Sequence, residues 1–469
     1  MLTYDLDKRG STPLYDYLYQ CIRQDIISGR LQAGERLPSK RTLAQHLSVG
    51  IITVANAYAQ LAVEGYITSR EKKGYFVEDV SSYRVRRKAA AAMLPEATER
   101  EYFADFKANR ISLQNFPLAT WTRLMRETLS VHNEELLKTV PYKGVYELRK
   151  AIAAYLAHNR AMEVDPSQII IGAGTEYLYG RLLQMFGHAC TFAIEELGYK
   201  KFASISASFG NPWKYIPIDD NGLMIDKLEE SGADVVHLSP ANHFPTGIVM
   251  PVTRRLELFE WVNRIRKRYI IEDDYDSEFR YTGRFILPLY AQDTQSRVIY
   301  MNTFSKSLVP SLRISYMVLP PRLLERYEQT MSFYSCTVSS FEQYTLARFI
   351  SEGYFERHIN KMKNYYREQR HKILAAIHAS PLAAVSQITE RNAGTHFVLH
   401  INTKLTEAEV RKAALAADMC LSFYSDYSHN TEENNGCTLV INYAAIEADK
   451  IAAVIERLSS LFPECNQIS

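Results

Sequence analysis

A chain of 469 residues, 46% apolar and 23% charged, has the length of about three ordinary domains and the composition of a soluble globular protein. Its formal net charge of +2 excludes attraction of nucleic acid by the whole field, so any such affinity must come from local basic patches. Six scattered cysteines without a CxxC pair argue against a metal site and for reduced thiols in a cytoplasmic protein.

The N-terminal residues lack the basic and apolar regions of a signal peptide, and no apolar run nears the twenty residues of a membrane span. Leu14, Leu18, Ile22 and Ile26, at four-residue spacing, predict an amphipathic helix over 13–28 stopped by Gly29. Ser39 is placed to cap a short helix over 40–47. A break at Ser48-Val49-Gly50 precedes a longer helix over 51–64, ended by Gly65. Residues 66–70 and 75–77 then read as two strands joined by the basic turn Glu71-Lys72-Lys73-Gly74. Three helices and a hairpin are the layout of a winged helix-turn-helix, so residues 1–80 are assigned to a DNA-binding head. Such a fold lays its second motif helix in the major groove and its wing on phosphates. The candidate contacts are Lys40, Arg41, Thr53, Asn56, Tyr58, Lys72 and Lys73.

Residues 81–101, with a basic cluster, an alanine run and then charges, read as a linker. Beyond it, residues 102–469 alternate helical and strand patterns. Apolar runs at 168–171, 235–238, 269–271 and 298–300 each end in a glycine-rich, proline-rich or acidic turn. That predicts an α/β domain with a large, mostly parallel sheet and sites at the strand ends. Strand patterns at 395–399 and 437–441, after a long helical region, predict a small C-terminal α+β lobe.

One set of residues in this body has the parts that pyridoxal phosphate requires. Lys306, in Thr303-Phe304-Ser305-Lys306, offers an amine for covalent attachment once its pKa is lowered. Asp273 would hold the pyridine nitrogen protonated; Asp274, one residue on, points the opposite way if this is a strand end. Tyr275 would hydrogen-bond the phenolic oxygen of the ring, and Tyr199 would stack on it. Gly174 and Thr175, after a strand and before a helix, offer backbone N–H groups to a phosphate. Thr303, Ser305 and Arg313 add side-chain donors to the same dianion.

The head resembles the GntR family of repressors through Leu37-Pro38-Ser39-Lys40-Arg41-Thr42-Leu43-Ala44, Thr53-Val54, Glu64-Gly65-Tyr66-Ile67 and Gly74-Tyr75-Phe76-Val77. The body resembles fold-type I aminotransferases, and the whole chain is similar to the MocR/GabR family of transcription regulators. Further resemblance lies in Gly144-Val145-Tyr146-Glu147-Leu148-Arg149, in Phe244-Pro245-Thr246-Gly247 and in the segment 272–279. It implies a winged helix-turn-helix on a fold-type I, pyridoxal-phosphate-dependent aminotransferase-like domain. It also implies a homodimer with heads swapped over the partner subunit. Either Asn242 or His243 takes the ring-oxygen role of the aminotransferase asparagine.

Three departures narrow the function. Members of the GntR family commonly carry Ser-Arg-x-Thr where this chain has Gly50-Ile51-Ile52-Thr53. Amino-acid-binding relatives open a C-terminal strand with an arginine that grips the substrate carboxylate, and Thr438 is read at that position. Lys201 stands where some of them have a second such arginine. A carboxylate left unpaired on burial costs several kcal/mol. The expectation is therefore a transcription regulator whose body senses pyridoxal phosphate, or an amine or amino-acid-derived effector, with an active aminotransferase as the alternative.

Overall fold

The computed structural model describes residues 2–80, 101–107, 115–131, 133–281, 285–391, 393–429 and 437–467. The chain divides into two compact units, 1–100 and 101–469. Most of the segment read as a linker, 81–100, lies outside the described residues.

In the first unit, α1 (Leu14–Ser28), α2 (Lys40–His46) and α3 (Ile51–Val63) precede the antiparallel pair β1 (Ile67–Arg70) and β2 (Gly74–Val77). Helix α1 ends on Gly29 in the left-handed region, and Ser39 caps α2 by accepting from the Thr42 amide. Leu18, Ile22 and Ile26 of α1, Leu43 of α2, and Val54, Ala57, Tyr58 and Leu61 of α3 close one core. Five elements around fourteen buried apolar residues give the small head a core of its own.

The second unit is built on a seven-stranded sheet. Its strands are β3 (Ile169–Gly172), β4 (Phe192–Glu195), β5 (Trp213–Ile216), β6 (Val235–Leu238), β7 (Tyr269–Asp273), β8 (Val298–Thr303) and β9 (Ser315–Val318). They lie in the order β3-β9-β8-β7-β6-β4-β5, with β9 antiparallel to both its neighbours and the other pairings parallel. Alternate residues enter different cores: Ile170, Ile271, Ile299 and Met301 pack on one side, while Ile169 and Ile171 and Ile270 and Val298 pack on the other. Burial on both faces is why these strands read as continuous apolar runs rather than alternating ones.

The small lobe holds the three-stranded antiparallel sheet β10 (Ser386–Thr389), β11 (His396–Ile401) and β12 (Cys437–Asn442). Among the described residues, no helix is long and apolar enough to cross a membrane, and no group of three or more His, Cys, Asp or Glu side chains could hold a metal.

Candidate functional site

Lys306 sits on a single helical turn, Phe304–Ser307, at the end of β8. The chain then runs through a short 3-10 turn, Pro310–Leu312, to Arg313 and returns antiparallel as β9. The Thr303–Ser315 pairing and the Phe304 amide donating to the Ile314 carbonyl close this loop. Lysine and arginine are thereby fixed beside the same strand end.

The Thr303 hydroxyl accepts from the Ser305 amide at 3.1 Å and from Ser315 Oγ at 2.8 Å. Its own O–H points to the Ile314 carbonyl at 3.5 Å, and this corrects one expectation: Thr303 caps the turn that carries Lys306 rather than offering a free donor. Ser305 Oγ, by contrast, is buried with no hydrogen-bond partner.

Across β9 from this loop, β3 ends at Gly172, and a helix runs over Thr175–Phe186. Gly174 has φ +100, and a Cβ there would lie 2.4 Å from Nη2 of Arg313. Only glycine combines that backbone with so close an approach. One cleft is lined by Gly174, Thr175, Tyr199, Asp273, Tyr275, Thr303, Ser305, Lys306 and Arg313, together with Glu176, Lys201, Phe202 and Pro310. Residues spread over some 140 positions of sequence thus converge at the strand ends, the usual place for ligands in an α/β sheet.

The two neighbouring aspartates part as the two-residue period of a strand demands. Asp273 faces the cleft; its Oδ1 is buried without a hydrogen-bond partner, and its Oδ2 lies 3.6 Å from Nε2 of the buried His237. Asp274 turns away, paired with Arg160 and accepting from the Tyr300 hydroxyl at 2.6 Å.

Asn242 and His243 differ in their surroundings. Both ring nitrogens of His243 are occupied, Nδ1 by Thr246 Oγ1 at 2.8 Å and Nε2 by the Leu197 carbonyl at 3.0 Å. Burial pushes its pKa down to about 4. Asn242 donates from Nδ2 to Asp276 at 2.8 Å and keeps a buried, unpartnered Oδ1. It does not itself line the cleft. Tyr275 donates its hydroxyl to the Asn242 carbonyl at 3.1 Å, and Tyr199 stacks on Phe244 with centroids 4.5 Å apart.

Burial lowers the pKa of Lys306 to about 8, against the opposing charge of Asp276. Asp276 is itself raised to about 7 by burial, which its hydrogen bond from Asn242 and the charge of Lys306 oppose. Glu176 bridges two cations, Lys201 at 2.6 Å and Arg313 at 3.1 Å. Burial raises its pKa, but these partners outweigh that and hold it below its ordinary value.

His237, Glu176 and Asp276 were not among the expected site residues. Their links to Asp273, Lys201 and Lys306 are long-range, so no local spacing announces them.

Thr438, read at the position of the carboxylate-gripping arginine, is not among the residues that line the cleft. Thr438 pairs with His400 across the small sheet and bonds its Nδ1 at 2.8 Å. It is Val440, two residues on and fully buried, that packs with Phe244 and Tyr275, with Tyr199, Tyr424 and Tyr427 against them. The small-lobe residues that line the pocket beside Lys306 are instead Thr395, His396 and Asn442.

In the head, Arg41, Asn56, Lys72 and Lys73 are exposed, Thr53 is half-buried, and half-buried Lys40 lies over the Tyr75 ring at 5.0 Å. Tyr58 is a correction. It is fully buried, donates to the Pro38 carbonyl at 3.0 Å and meets Tyr75 edge-on, so it holds the core and cannot reach DNA. Its place in the series 54, 57, 58, 61, one face of a helix, is the sequence sign of that burial.

The aminotransferase class I and II family matches residues 104–458, and the bacterial regulatory proteins of the gntR family match residues 14–77. The chain is 36% identical to the uncharacterized HTH-type transcriptional regulator YdeL of Bacillus subtilis (strain 168), covering 98% of this chain and 99% of that one. It is 30% identical to the probable rhizopine catabolism regulatory protein MocR of Rhizobium meliloti, over 97% and 95% of the two chains. Among solved structures, the multiple substrate aminotransferase of Thermococcus profundus shares its fold with a TM-score of 0.69 at 23% identity, over 83% of this chain and all of that one. A gntR-type head on an aminotransferase body, matched nearly end to end by such regulators, places this chain in the MocR/GabR-type family of transcriptional regulators.

Proposed function

We propose that this regulator binds pyridoxal phosphate in the cleft at Lys306 and that the bound cofactor is the signal that alters its binding to DNA. The observation that carries the reading is Asp273 Oδ1, a buried carboxylate oxygen without a hydrogen-bond partner in the same cleft as a lysine of lowered pKa and an arginine-lined glycine turn. A buried acceptor left unsatisfied costs about 1–3 kcal/mol, and a protonated pyridine nitrogen would relieve it. Ser305 Oγ, also buried and unpartnered, is matched to a phosphate oxygen. Pyridoxal phosphate brings an aldehyde that an amine can bond covalently and a ring that draws electrons.

Within that assignment Lys306 would attach the cofactor, and Asp273, backed by His237, would hold the proton on the ring nitrogen. Gly174, Thr175, Ser305 and Arg313 would receive the phosphate, with Thr303 holding the loop of the last two in shape. Tyr275, held by its bond to the Asn242 carbonyl, would serve the ring oxygen, and Tyr199 the ring face. A pKa near 8 leaves about a tenth of the Lys306 amine neutral at pH 7, against a few parts in ten thousand at the ordinary lysine value. Attachment should therefore quicken as pH rises through about 8 and level off above it, which stopped-flow absorbance of added pyridoxal phosphate would follow. A rate still climbing steeply toward pH 10 would contradict the lowered pKa.

The walls of the site support sensing rather than turnover. Transamination needs an amino-acid substrate held in line by its carboxylate, and such positioning is worth several kcal/mol of the barrier. Among the described residues, no arginine or lysine of the small lobe lines the pocket beside Lys306, where Thr395, His396 and Asn442 stand, and Lys201 is tied to Glu176. The cofactor itself, which brings its own phosphate, needs neither clamp. Its occupancy would act by population shift, favouring one arrangement of the two heads of a homodimer.

The test is to select duplexes from a random library with the full-length protein, then titrate them with and without pyridoxal phosphate. An unchanged affinity would remove the sensing proposal. Rapid conversion of an amino acid to its keto acid would restore the enzyme.

DNA affinity should also fall steeply with salt, by a log–log slope of about 0.9 per phosphate neutralised. Lys72→Ala and Lys73→Ala, at the exposed wing tip, should each flatten the slope by about one. Isotherms at four salt concentrations check this, and a flat response would sink the wing contacts.

A further inference from the structure

We infer that Ile51 and Ile52, in the first turn of α3, read thymine methyl groups, so that the sites this protein prefers carry thymine beneath that turn. The inference rests on the head being a DNA reader and deepens that reading to a specificity element.

The two residues are anomalous for their positions. Val54, Ala57, Tyr58 and Leu61 of the same helix are completely buried, whereas Ile51 is 51% exposed and Ile52 76% exposed. Neither joins the core of the head, so packing within the unit accounts for neither side chain. Both are β-branched and held in few rotamers on a helix, which makes a rigid apolar knob. It lies at the start of the second helix of the motif, the part that meets base edges in a helix-turn-helix. Exposed Arg41 and the exposed wing lysines Lys72 and Lys73 give the same small unit cations for the flanking phosphates, which favours DNA over an apolar protein partner. Val63 is also exposed, at 84%, but it ends the helix. Twelve residues at 1.5 Å each put it about 18 Å from Ile51, so it does not belong to this patch.

Gly50-Ile51-Ile52-Thr53 stands where the GntR pattern has Ser-Arg-x-Thr, which puts Ile51 at the arginine. An arginine there can grip guanine through O6 and N7; isoleucine donates nothing. The apolar feature that the major groove offers is the C5-methyl group of thymine. The replacement thus exchanges a guanine reader for a thymine reader, rather than simply deleting a contact.

Replacing thymine by deoxyuridine removes that methyl group and leaves base pairing intact. Duplexes selected from a random library by the full-length protein with pyridoxal phosphate present would be resynthesised with single thymine-to-uracil changes across the protected region. At one or two positions per half-site, uracil should weaken binding about fourfold, the effect of one buried methyl. A protein carrying Ile51→Ala and Ile52→Ala should lose most of that penalty. Its melting temperature should match the wild type, because both side chains are exposed; were it to fail to fold, Ile52→Ser, which carries no methyl group, gives the comparison at one position. Specific binding with every uracil tolerated, or a penalty that persists in the alanine protein, would overturn the inference. Failure to enrich any sequence from the library would overturn the DNA-reader premise itself, a distinguishable result.

Discussion

Replacing Lys306 with alanine is expected to leave a folded protein that still binds DNA but no longer answers to pyridoxal phosphate. The side chain lies in a solvent-reachable cleft, so its loss opens space rather than a sealed cavity. Asp276, which shares the opposing charge, is held near pKa 7 by burial, against its Asn242 hydrogen bond and the Lys306 charge, and it can accept a proton once the ammonium is gone. Gly174, Ser305 and Arg313 remain, so the variant should keep weak, reversible affinity for the phosphate. What disappears is the covalent tie. Borohydride treatment followed by intact mass measurement should give a stable adduct on the wild type and none on the variant.

The DNA titration then decides whether that tie is the signal. Couplings between two sites usually amount to about 5- to 150-fold in affinity; the wild type should show a shift in that range and the variant less than about twofold. A variant that responds fully would mean that occupancy alone, without attachment, drives the switch. An adduct surviving in the variant would point to another amine, with Lys201 of the same cleft as the first to test.

How much of this was legible beforehand differs from residue to residue, for physical reasons. Lys306, Ser305 and Arg313 were readable because one short loop between adjacent strands must carry them all, so chain spacing and spatial spacing coincide. The separation of Asp273 from Asp274 followed from strand periodicity alone. Strand β9 was not assigned in advance. Four residues, Ser315 to Val318, are too few to show a period, and what holds them is pairing with β3 and β8 from distant sequence. The pairing of Glu176 with Lys201 and of Asp273 with His237 escaped for the same reason. Thr438 and Val440 lie on one face of β12, and pattern alone does not tell that the first bonds His400 while the second packs on Phe244 and Tyr275. The burial of Tyr58 is legible in its spacing from Val54 and Leu61, which puts it on the core face of the helix.

The adjacent carboxylates supply the second large effect, in opposite directions. Arg160 and Asp274 are both buried, at 3% and 3% exposure, and their ion pair is completed by the Tyr300 hydroxyl. Removing one member of such a pair leaves a charge that has lost its hydration and its partner, at about 3–5 kcal/mol. Arg160→Ala should therefore lower the melting temperature of the body clearly, while cofactor affinity, measured where the protein is folded, changes little. Asp273→Asn should do the reverse. Its Oδ1 has no hydrogen-bond partner in the protein, so the amide removes no hydrogen bond there and stability should stay near the wild type. Its hydrogen bond to a protonated ring nitrogen is charged, worth about 1.5–3 kcal/mol, which is roughly a ten- to hundredfold loss in affinity for pyridoxal phosphate. Thermal melts and cofactor titrations on the two variants separate the roles. If Asp273→Asn bound the cofactor as tightly as the wild type, the ring nitrogen would have to lie elsewhere, and the orientation proposed for the whole cleft would fall with it. If instead it destabilised the body as much as Arg160→Ala, both aspartates would be structural, and the unpartnered oxygen that carries the cofactor assignment would lose its meaning.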